Sequence, residues 1–562
     1  MPSSPMPGIM HDNASRRPLL FFCFCVVFYC VYLILLQGDW VLSGEMWAEM
    51  GTNYYPSANV HDWAQRLFAT DAGYVPLPQR LIAIGGSLLH LPAASIPYFY
   101  TWSAILSTAA MVGSFCLRPF RLLVRSDGLR LLTSIAILMM ADFDTRTFIN
   151  FTYFAAFFIA IVTALALADS HGESPWWAWF IPVLFISKPA VLAALPAMMV
   201  AAVVGRKRFR LITGVALLLC VAQFVRIMLS HTAGTFAGTQ TFSLGEKIFA
   251  AAKYFFGFTG AYAGGKDLPL NWYHPLWLGL LVVAVSLAVV LKKRSSAGAL
   301  IIVGLSLVLF NVFLNAFALS DAWNTNMERL DGVPLYRHII VAYFGVVLVV
   351  TGLVAAITHR SRSPLSTLST KLGPILFATW FILSGWFSFA VETSRTPGMP
   401  NIGESQWQAM SDAIDSGRPI CVPIDPFGWM FQRDCESLTP DVNWVKPLTF
   451  QSITRDGLLS VTDIPVPAAL RQQKLLSMAV LIKPHIGQRL PVNGRVTLTM
   501  NDGAKVFLVG ARQLSSNGGI LMVEAQTMLP IERIASAALT LDQPVDIAFI
   551  GDAPAVIWMG KR

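Results

Sequence analysis

Charged residues are scarce in this chain of 562 residues, where Asp, Glu, Lys and Arg together account for 13%. Soluble domains usually contain about 25%. Hydrophobic residues make up 55% of the sequence, and they lie in repeated runs up to about residue 391. This composition excludes an ordinary soluble enzyme for most of the chain. It predicts a polytopic α-helical membrane protein.

Cysteine is also rare, and the seven that occur lack the spacing of a zinc site. The last third has no Gly-x-Ser-x-Gly nucleophile turn, and the segments between the apolar runs have no glycine-rich phosphate loop. The sequence therefore predicts no cofactor, while a divalent metal is left open. Five cysteines lie in or beside apolar runs, whereas Cys421 and Cys435 share the C-terminal region. An exported location for that region predicts a disulfide between them, with two free thiols as the alternative.

About eleven apolar runs are candidates to cross the ~30 Å of hydrocarbon in a bilayer. Three of them are short, and prolines interrupt this part of the chain, a feature typical of broken helices that line a cavity. The first run is predicted to be an uncleaved anchor, because no small-x-small cleavage site follows Leu36. The approximate limits are 19–36, 95–117, 128–141, 151–168, 176–187, 189–204, 211–229, 275–291, 298–318, 337–358 and 372–391.

Basic residues concentrate in one set of connecting segments, which holds sixteen Lys or Arg and only four acids. The positive-inside rule places these segments and the N-terminus in the cytosol. An odd number of spans then exports everything after Glu392. The sequence thus predicts a multi-pass inner-membrane protein whose C-terminal domain lies on the far side of the membrane from the cytosol. The net charge of +9 follows from this distribution, so the lipid bilayer and not nucleic acid is the predicted partner.

Two domains are predicted: a transmembrane domain over 1–394, with a long first periplasmic loop over 37–94, and a mostly-β accessory domain over 395–562. The accessory domain should open with a helix over 404–416 and continue as a small sandwich or jelly roll. Asn501-Asp502-Gly503 and Asn517-Gly518-Gly519 are strong hairpin turns. The predicted strands are Ile420–Ile424, Met478–Ile482, Arg495–Met500, Lys505–Gly510, Ile520–Glu524, Ala537–Leu541, Val545–Ile550 and Ala555–Met559.

Carboxylates of the first loop are the candidates for acid–base chemistry. Asp71 precedes a turn rich in Gly and Pro, and the turn ends at Arg80, which enters an amphipathic helix over 80–89. Glu45 and Glu49 would share one face if their segment is helical. Acids near the outer membrane surface suit deprotonation of a hydroxyl, which makes Asp71, Glu45 and Glu49 candidate catalytic residues. The alternative is a solvated loop whose acids balance the outer face.

Cations near the same face are candidates to bind a lipid phosphate. Lys188 lies between two short runs in Ser187-Lys188-Pro189, and Tyr336 and Arg337 stand at the start of a span. Because Arg and Lys donate several hydrogen bonds to phosphate, Arg337, Lys188 and Arg80, with Tyr336, are predicted to bind the donor phosphate. The alternative for the Lys and Arg side chains is a membrane anchor whose charge extends to the headgroups.

A second polar cluster follows the third run and contains Asp142, Asp144 and Arg146, with Asn150 entering the next run. Charges at the rim of a helix bundle are costly unless they are paired or face a cavity. These four residues are therefore predicted to line a substrate site. A structural ion pair between Asp144 and Arg146 is the alternative.

The segments Asp71–Arg80, Ser187–Pro196 and Tyr336–His338, with the order of loops and spans, carry a resemblance. The chain resembles the GT-C superfamily of membrane glycosyltransferases, in particular bacterial members that modify O-antigen or other surface glycans. The resemblance covers the architecture of residues 19–391. One departure is that the adjacent acidic pair often found in the first loop of that family is missing, so the base is one of several scattered acids.

The resemblance implies an enzyme that moves a hexosyl or pentosyl group from a polyprenyl-phosphate carrier to a glycan or lipid-linked acceptor at the periplasmic face. A first-loop carboxylate would deprotonate the acceptor hydroxyl, and Arg337, Lys188 or Arg80 would stabilise the departing phosphate, with inversion at the anomeric carbon. A glycan polymerase or ligase is the closest alternative. A transporter or flippase of a lipid-linked glycan is another, although such proteins need charges at mid-membrane and usually an internal repeat.

Overall fold

A computed structural model describes most of the chain, and Tyr336 and Arg337 lie outside the described residues. The described residues are 11–71, 73–169, 172–229, 243–268, 273–293, 295–318, 339–358, 366–394, 406–426, 429–438, 448–452, 454–455, 458–485, 492–512 and 519–561. The chain is helical up to residue 394 and mostly β beyond it. The predicted fold class, a polytopic helical protein with a C-terminal β domain, is confirmed.

The helices of the first 394 residues range from single turns to 31 residues. Several begin with a 3-10 turn, for example Pro189–Ala194, where proline supplies the first residue without requiring an N–H group. The α-helices are His11–Val41, Tyr55–Ala58, Trp63–Phe68, Leu77–Leu88, Ile96–Gly113, Asp127–Met139, Phe143–Arg146, Ala155–Ala168, Phe180–Phe185, Leu195–Val204, Lys207–Leu229, Leu244–Gly264, Tyr273–Lys293, Ala297–Ala318, Ile340–Thr358, Ser366–Leu383 and Trp386–Ser394.

Seven helices of the described chain are long and apolar enough to cross a membrane. An eighth span results if Lys371–Leu383 and Trp386–Ser394, which meet at 61°, are one broken span. The break lies at Gly385, whose φ of +77° is a left-handed conformation that other residues adopt only with strain. The seven spans are Arg17–Val41, Ala93–Leu122, Phe151–Ala168, Lys207–Arg226, Tyr273–Lys292, Ala297–Phe317 and Ile340–Thr358.

When the broken span is counted, the difference between the eleven predicted spans and these eight lies in three short apolar runs. The run predicted at 128–141 forms Asp127–Met139, a helix of 13 residues. At 1.5 Å per residue it is about 20 Å long, which is less than the hydrocarbon thickness. The runs at 176–187 and 189–204 form the shorter apolar helices Trp176–Phe185 and Pro189–Val204. Apolar composition alone does not distinguish such half-length helices from complete spans.

Close packing of two of the spans depends on glycine. Gly304 in Ala297–Ala318 and Gly345 in Ile340–Thr358 face each other, and a Cβ on either would lie 2.5 Å or 2.6 Å from the other's carbonyl oxygen. Small residues at such crossings let two backbones approach closely, which is how helices associate in lipid. Alanine at either position would push the two helices apart.

The described chain forms two compact units, and the first loop is divided between them. One unit contains Met1–Gln37, Asp62–Ile82 and Thr101–Thr396, and the other contains Gly38–His61, Ala83–Tyr100 and Pro397–Arg562. This division differs from the predicted one, which assigned all of 37–94 to the membrane domain. Asp71, Arg80 and Lys188 therefore belong to the first unit, whereas Glu45 and Glu49 belong to the second.

The described strands of the second unit pair with one another in antiparallel fashion. Strands β1 and β2 form a two-stranded sheet, and the others form a twelve-stranded sheet in which β7 pairs with β10, β12 and β14. Strands β1 to β7 are Ile420–Ile424, Trp429–Arg433, Cys435–Leu438, Leu448–Ser452, Thr454–Arg455, Leu458–Ile464 and Lys474–Pro484. Strands β8 to β14 are Asn493–Met500, Lys505–Arg512, Gly519–Pro530, Ile534–Leu541, Val545–Ile550, Ala553–Pro554 and Val556–Lys561.

The strand predictions are confirmed. Two have identical bounds in the structure, β1 and β12, and the others lie within or overlap β7, β8, β9, β10, β11 and β14. The alternation of buried residues explains this success, since residues such as Leu475, Leu521 and Ile547 fill one hydrophobic core. The helix predicted over 404–416 is shorter, at Ser411–Asp415. A disulfide joins Cys421 in β1 to Cys435 in β3.

Candidate active site

The centre of the candidate site is a tight turn at Asp71. The N–H group of Asp71 donates to the carbonyl of Tyr74 at 2.8 Å, and the N–H group of Tyr74 donates back at 3.1 Å. Gly73 within the turn has a φ of +86°, which favours glycine. The turn places the Tyr74 hydroxyl within 3.1 Å of Asp71 Oδ2, to which it donates a hydrogen bond. A carboxylate and a phenol are thus held together by local backbone geometry.

Lys188 completes this cluster from a distant part of the sequence. Its Nζ lies 3.9 Å from Asp71 Oδ2 and 5.0 Å from the centre of the Tyr74 ring. The side chains of Lys188 and Asp71 are only 10% and 9% exposed. Lys188 is the N-cap residue of the 3-10 helix Pro189–Ala194. Removing both charges of this ion pair from water costs free energy. The rest of the fold must therefore supply the free energy that keeps Lys188 beside Asp71 and Tyr74.

Two glutamines hold the chain after the turn in place. The Gln223 side chain accepts from the N–H group of Val75 and donates to its carbonyl, both at 3.1 Å. Leu77 donates its N–H group to Ile186 at 2.9 Å, which ties the same segment to the residues before Lys188. Gln79 donates to the carbonyl of Ile149 at 2.8 Å. The bonds of Val75 and Leu77 hold the segment after Asp71 against Gln223 and against Ile186, two residues before Lys188.

Gln223 should therefore be a positioning residue, and its replacement tests this role. We expect Gln223→Leu to lower the activity of the site at least tenfold. The Val75 amide loses its buried hydrogen-bond partner, and even a small displacement of reacting groups strongly lowers a reaction rate. The neighbouring Phe224 is 54% exposed, so Phe224→Leu is the matched control. Activity per folded molecule and the unfolding temperature in detergent should both be measured. Equal activities for the two variants would contradict the role.

Arg80 is buried to 1% exposure, and its Nε donates to the carbonyl of Ala69 at 3.1 Å. Ala69 is the C-cap of Trp63–Phe68, two residues before Asp71. Through this hydrogen bond, Arg80 holds the backbone of the segment that leads into the Asp71 turn. The amphipathic helix predicted over 80–89 is confirmed as Leu77–Leu88.

The second predicted cluster is built mainly from caps and backbone contacts. Asp142 caps the single turn Phe143–Arg146 by accepting from the N–H group of Thr145 at 2.9 Å. Burial raises the pKa of the Asp142 carboxyl above its ordinary value, although its hydrogen bonds with Thr145 act in the opposite direction. Asn150 donates to Asp144 Oδ1 at 3.0 Å. Asp142, Asp144 and Asn150 thus stabilise one compact bend between helices.

Arg146 is fully buried and connects three parts of the first unit. It donates to the carbonyl of Met139 at 2.7 Å and to Ser394 Oγ at 3.2 Å, and its guanidinium lies 5.4 Å from the ring centre of Tyr32. The Tyr32 hydroxyl in turn lies 2.6 Å from Ser394 Oγ. These contacts support a structural role for Arg146 that links the first and last helices of the unit. A lining role for this cluster stays a prediction.

Glu45 and Glu49 lie in the second unit, and their surroundings differ from the prediction. The segment 44–47 is not helical, and Trp47 forms an isolated bridge to Asp425, so the two acids do not share a helix face. The positive φ of Gly44 and Ala48 prevents a helix there. Glu49 is the residue before the short helix Met50–Tyr54. The condition for a common face, a helix through both acids, is therefore not met in this segment.

Glu45 Oε2 accepts from the backbone N–H groups of Trp407 at 3.0 Å and Gln408 at 3.4 Å. Gln408 also donates to the carbonyls of Gly44 and Ala94, and the Trp407 indole donates to Ala93 at 2.7 Å. The carboxylate of Glu45 therefore serves as an acceptor that joins the first loop to the start of the C-terminal region within one unit.

This arrangement predicts a stability effect. Glu45→Ala should destabilise the second unit by about 2 kcal/mol, because two backbone N–H groups lose a charged acceptor. Limited proteolysis of the region after residue 406, compared with Asp62→Asn as a first-loop control, measures the effect. Full activity of the candidate site per folded molecule is expected. Loss of activity by Glu45→Gln at an unchanged unfolding temperature would instead indicate a base.

Metal ligands are not clustered in the described part of the chain, where no three His, Cys, Asp or Glu side chains lie together. Sequence reasoning named Asp71 and Lys188 but missed Gln223, Gln79 and the partner role of Tyr74. For Gln223 the available signal was a single glutamine in an apolar run, because an amide in such a run is costly without a partner.

Comparisons with known proteins identify no family for this chain. No protein-family model matches it, and no curated protein matches it. Among solved structures it is similar to the arabinosyltransferase EmbB from Mycobacterium smegmatis, determined by cryo-EM, with 12% sequence identity. That match covers 99% of this chain and 66% of the other, so the chain spans just under two thirds of that protein's length. The TM-score is 0.26, which is too low to establish a common fold and carries no weight for the function.

Proposed function

We propose that this protein is an integral membrane glycosyltransferase that moves a sugar from a polyprenyl-phosphate carrier to a cell-surface glycan or lipid-linked acceptor. The observation that carries the proposal is the buried cluster of Asp71, Tyr74 and Lys188. It combines a proton acceptor and a cation within 4 Å in a unit built of membrane-spanning helices. This is the combination that transfer from a lipid phosphate requires.

In the proposed reaction, Asp71 accepts the proton of an acceptor hydroxyl, and the hydroxyl oxygen forms the new bond to the anomeric carbon. The bond from that carbon to the phosphate oxygen breaks, and the lipid phosphate departs with the electron pair. Lys188 stabilises the charge that develops on this phosphate. A single displacement inverts the anomeric centre. Tyr74 orients the carboxylate of Asp71 through its hydrogen bond.

Arg337 and Tyr336 stay predicted ligands of the same phosphate. Arg80 is assigned the shaping of the segment before Asp71, since its Nε bonds to Ala69. We assign Glu45 a structural function, because the Trp407 and Gln408 amides occupy its carboxylate. Asp71 is then the proposed base.

The proposed location is the bacterial inner membrane, with the N-terminus in the cytosol and the C-terminal domain in the periplasm. The distribution of basic residues supports the orientation of the N-terminus. The number of spans, seven or eight, does not by itself determine where the C-terminal domain lies. The disulfide between Cys421 and Cys435 supports an oxidising compartment for it.

Purified protein in lipid vesicles tests the proposal. The vesicles receive radiolabelled polyprenyl-phosphate sugars as donors and, as acceptors, lipid-linked glycans extracted from the membranes of the source cells. Transfer of the label to these acceptors is expected. Parallel reactions contain a polyprenyl-diphosphate oligosaccharide, the donor of a polymerase or ligase, or measure movement of the intact lipid-linked glycan across the bilayer. Activity confined to either parallel reaction would replace the proposal with that alternative.

A further inference from the structure

A groove of about 510 Å³ lies at the N-terminal end of the first span. None of the residues that line it belongs to the candidate site. One wall consists of Arg17, Leu20 and Phe21 of the first helix. The other consists of residues 125–128, at the start of the Asp127–Met139 helix. All of these residues belong to the first unit. None of them takes part in the proposed reaction.

The wall from the first helix changes from charged to apolar along one face. Leu20, Phe21 and Phe24 follow Arg17 by three, four and seven positions, so these side chains lie on the same side of the helix. Leu20 is 65% exposed and Phe24 is 53% exposed. A cation is thus followed by an exposed apolar stripe running into the span. This order matches that of a phospholipid, with its headgroup at the surface and its chains in the hydrocarbon.

The charge of the groove is positive. Arg17 and Arg125 are exposed, and neither has a hydrogen-bond or ion-pair partner among the residues that the structure describes. The acid of the groove, Asp127, is already paired, since Arg121 Nη2 lies 2.5 Å from its Oδ2 and Arg130 donates to its Oδ1. Burial raises the pKa of Asp127, but Arg121 and Arg130 outweigh this effect and hold the pKa below its usual range.

The end of a helix adds to this potential. Ser126 caps Asp127–Met139 by accepting from the N–H group of Leu129 at 3.3 Å. The first turn of a helix carries a partial positive charge, and residues 126–128 of that turn line the groove. Two arginines and a helix N-terminus therefore surround a space that borders exposed apolar surface.

We propose that this groove binds the phosphate of an anionic glycerophospholipid, with Arg17 and Arg125 on the phosphate and an acyl chain along Leu20, Phe21 and Phe24. Arginine suits this ligand because its planar fork of donors matches phosphate oxygens. The exposed apolar stripe favours a lipid over free phosphate. The inference is independent of the proposed function.

Native mass spectrometry of the full-length protein in detergent tests the site, with phosphatidylglycerol and phosphatidylcholine titrated separately and inorganic phosphate added as a competitor. Phosphatidylglycerol should bind more tightly than phosphatidylcholine. In Arg17→Gln/Arg125→Gln its binding should weaken by roughly 30-fold, since two surface cations are lost. Arg17→Lys/Arg125→Lys keeps both charges and should stay within a few-fold of the unaltered protein.

Arg118→Gln/Arg206→Gln is the matched control, because it removes two exposed arginines from connecting segments outside the groove. It should bind phosphatidylglycerol nearly as well as the unaltered protein. An equal loss in this control would show a diffuse surface charge and overturn the proposal. Displacement of the lipid by millimolar inorganic phosphate would identify a free anion as the ligand, and undiminished binding by Arg17→Gln/Arg125→Gln would exclude the site.

Discussion

Asp71→Asn is expected to lower sugar transfer by roughly 10²- to 10⁴-fold, the contribution typical of a positioned general base. The amide has the size of the carboxyl group, and its oxygen can still accept the hydrogen bond that Tyr74 donates to Asp71 Oδ2 at 3.1 Å. The turn should therefore persist, while proton acceptance is lost. Initial rates with a radiolabelled polyprenyl-phosphate sugar measure the effect. Asp62→Asn makes the same chemical change in the same loop and should keep full activity.

A chemical rescue separates a base from a merely structural carboxylate. Asp71→Ala leaves space at the turn, and added formate should restore part of the transfer rate if a carboxylate is needed only to accept the proton. Formate should have no effect on Lys188→Met, which keeps the Asp71 carboxyl. Full activity of Asp71→Asn would eliminate Asp71 as the base, and transfer would then have to use another acid.

Eight of the described strands follow from local pattern and were predicted, whereas β2 to β6 and β13 were not. Strands β1 and β12 have the predicted bounds because alternation and turn residues determine a strand within a few positions. The number of membrane spans was predicted less well from local pattern. The 13 residues of Asp127–Met139 are as apolar as a longer span, and only the fold shows where such a helix ends.

The site could be predicted in part for the same reason. Asp71 and Lys188 were identified as chemically competent residues, but their separation of 3.9 Å depends on contacts between segments more than a hundred residues apart. Glu45 illustrates the opposite case. Its partners Trp407 and Gln408 are more than 360 positions away, so its spacing from Glu49 suggested a helix that does not form.

Lys188→Met should reduce transfer by roughly 10²- to 10³-fold, the usual loss when one group that stabilises developing charge is removed. The substitution also leaves the Asp71 carboxylate without its lysine partner in a site that is about a tenth exposed. Breaking such a buried pair typically costs 3–5 kcal/mol. A fall in both activity and unfolding temperature is therefore expected, and the single variant cannot separate the two causes.

The double variant Asp71→Asn/Lys188→Met separates them. Both charges are then absent, so the unfolding temperature should recover toward that of the unaltered protein, because no buried charge lacks a partner. The transfer rate should stay as low as in whichever single variant is less active, because the base and the cation are both missing. Lys188→Arg provides the charge-conserving comparison and should keep more activity than Lys188→Met. Recovery of transfer together with stability in the double variant would show that Lys188 and Asp71 stabilise the fold without acting on the substrate.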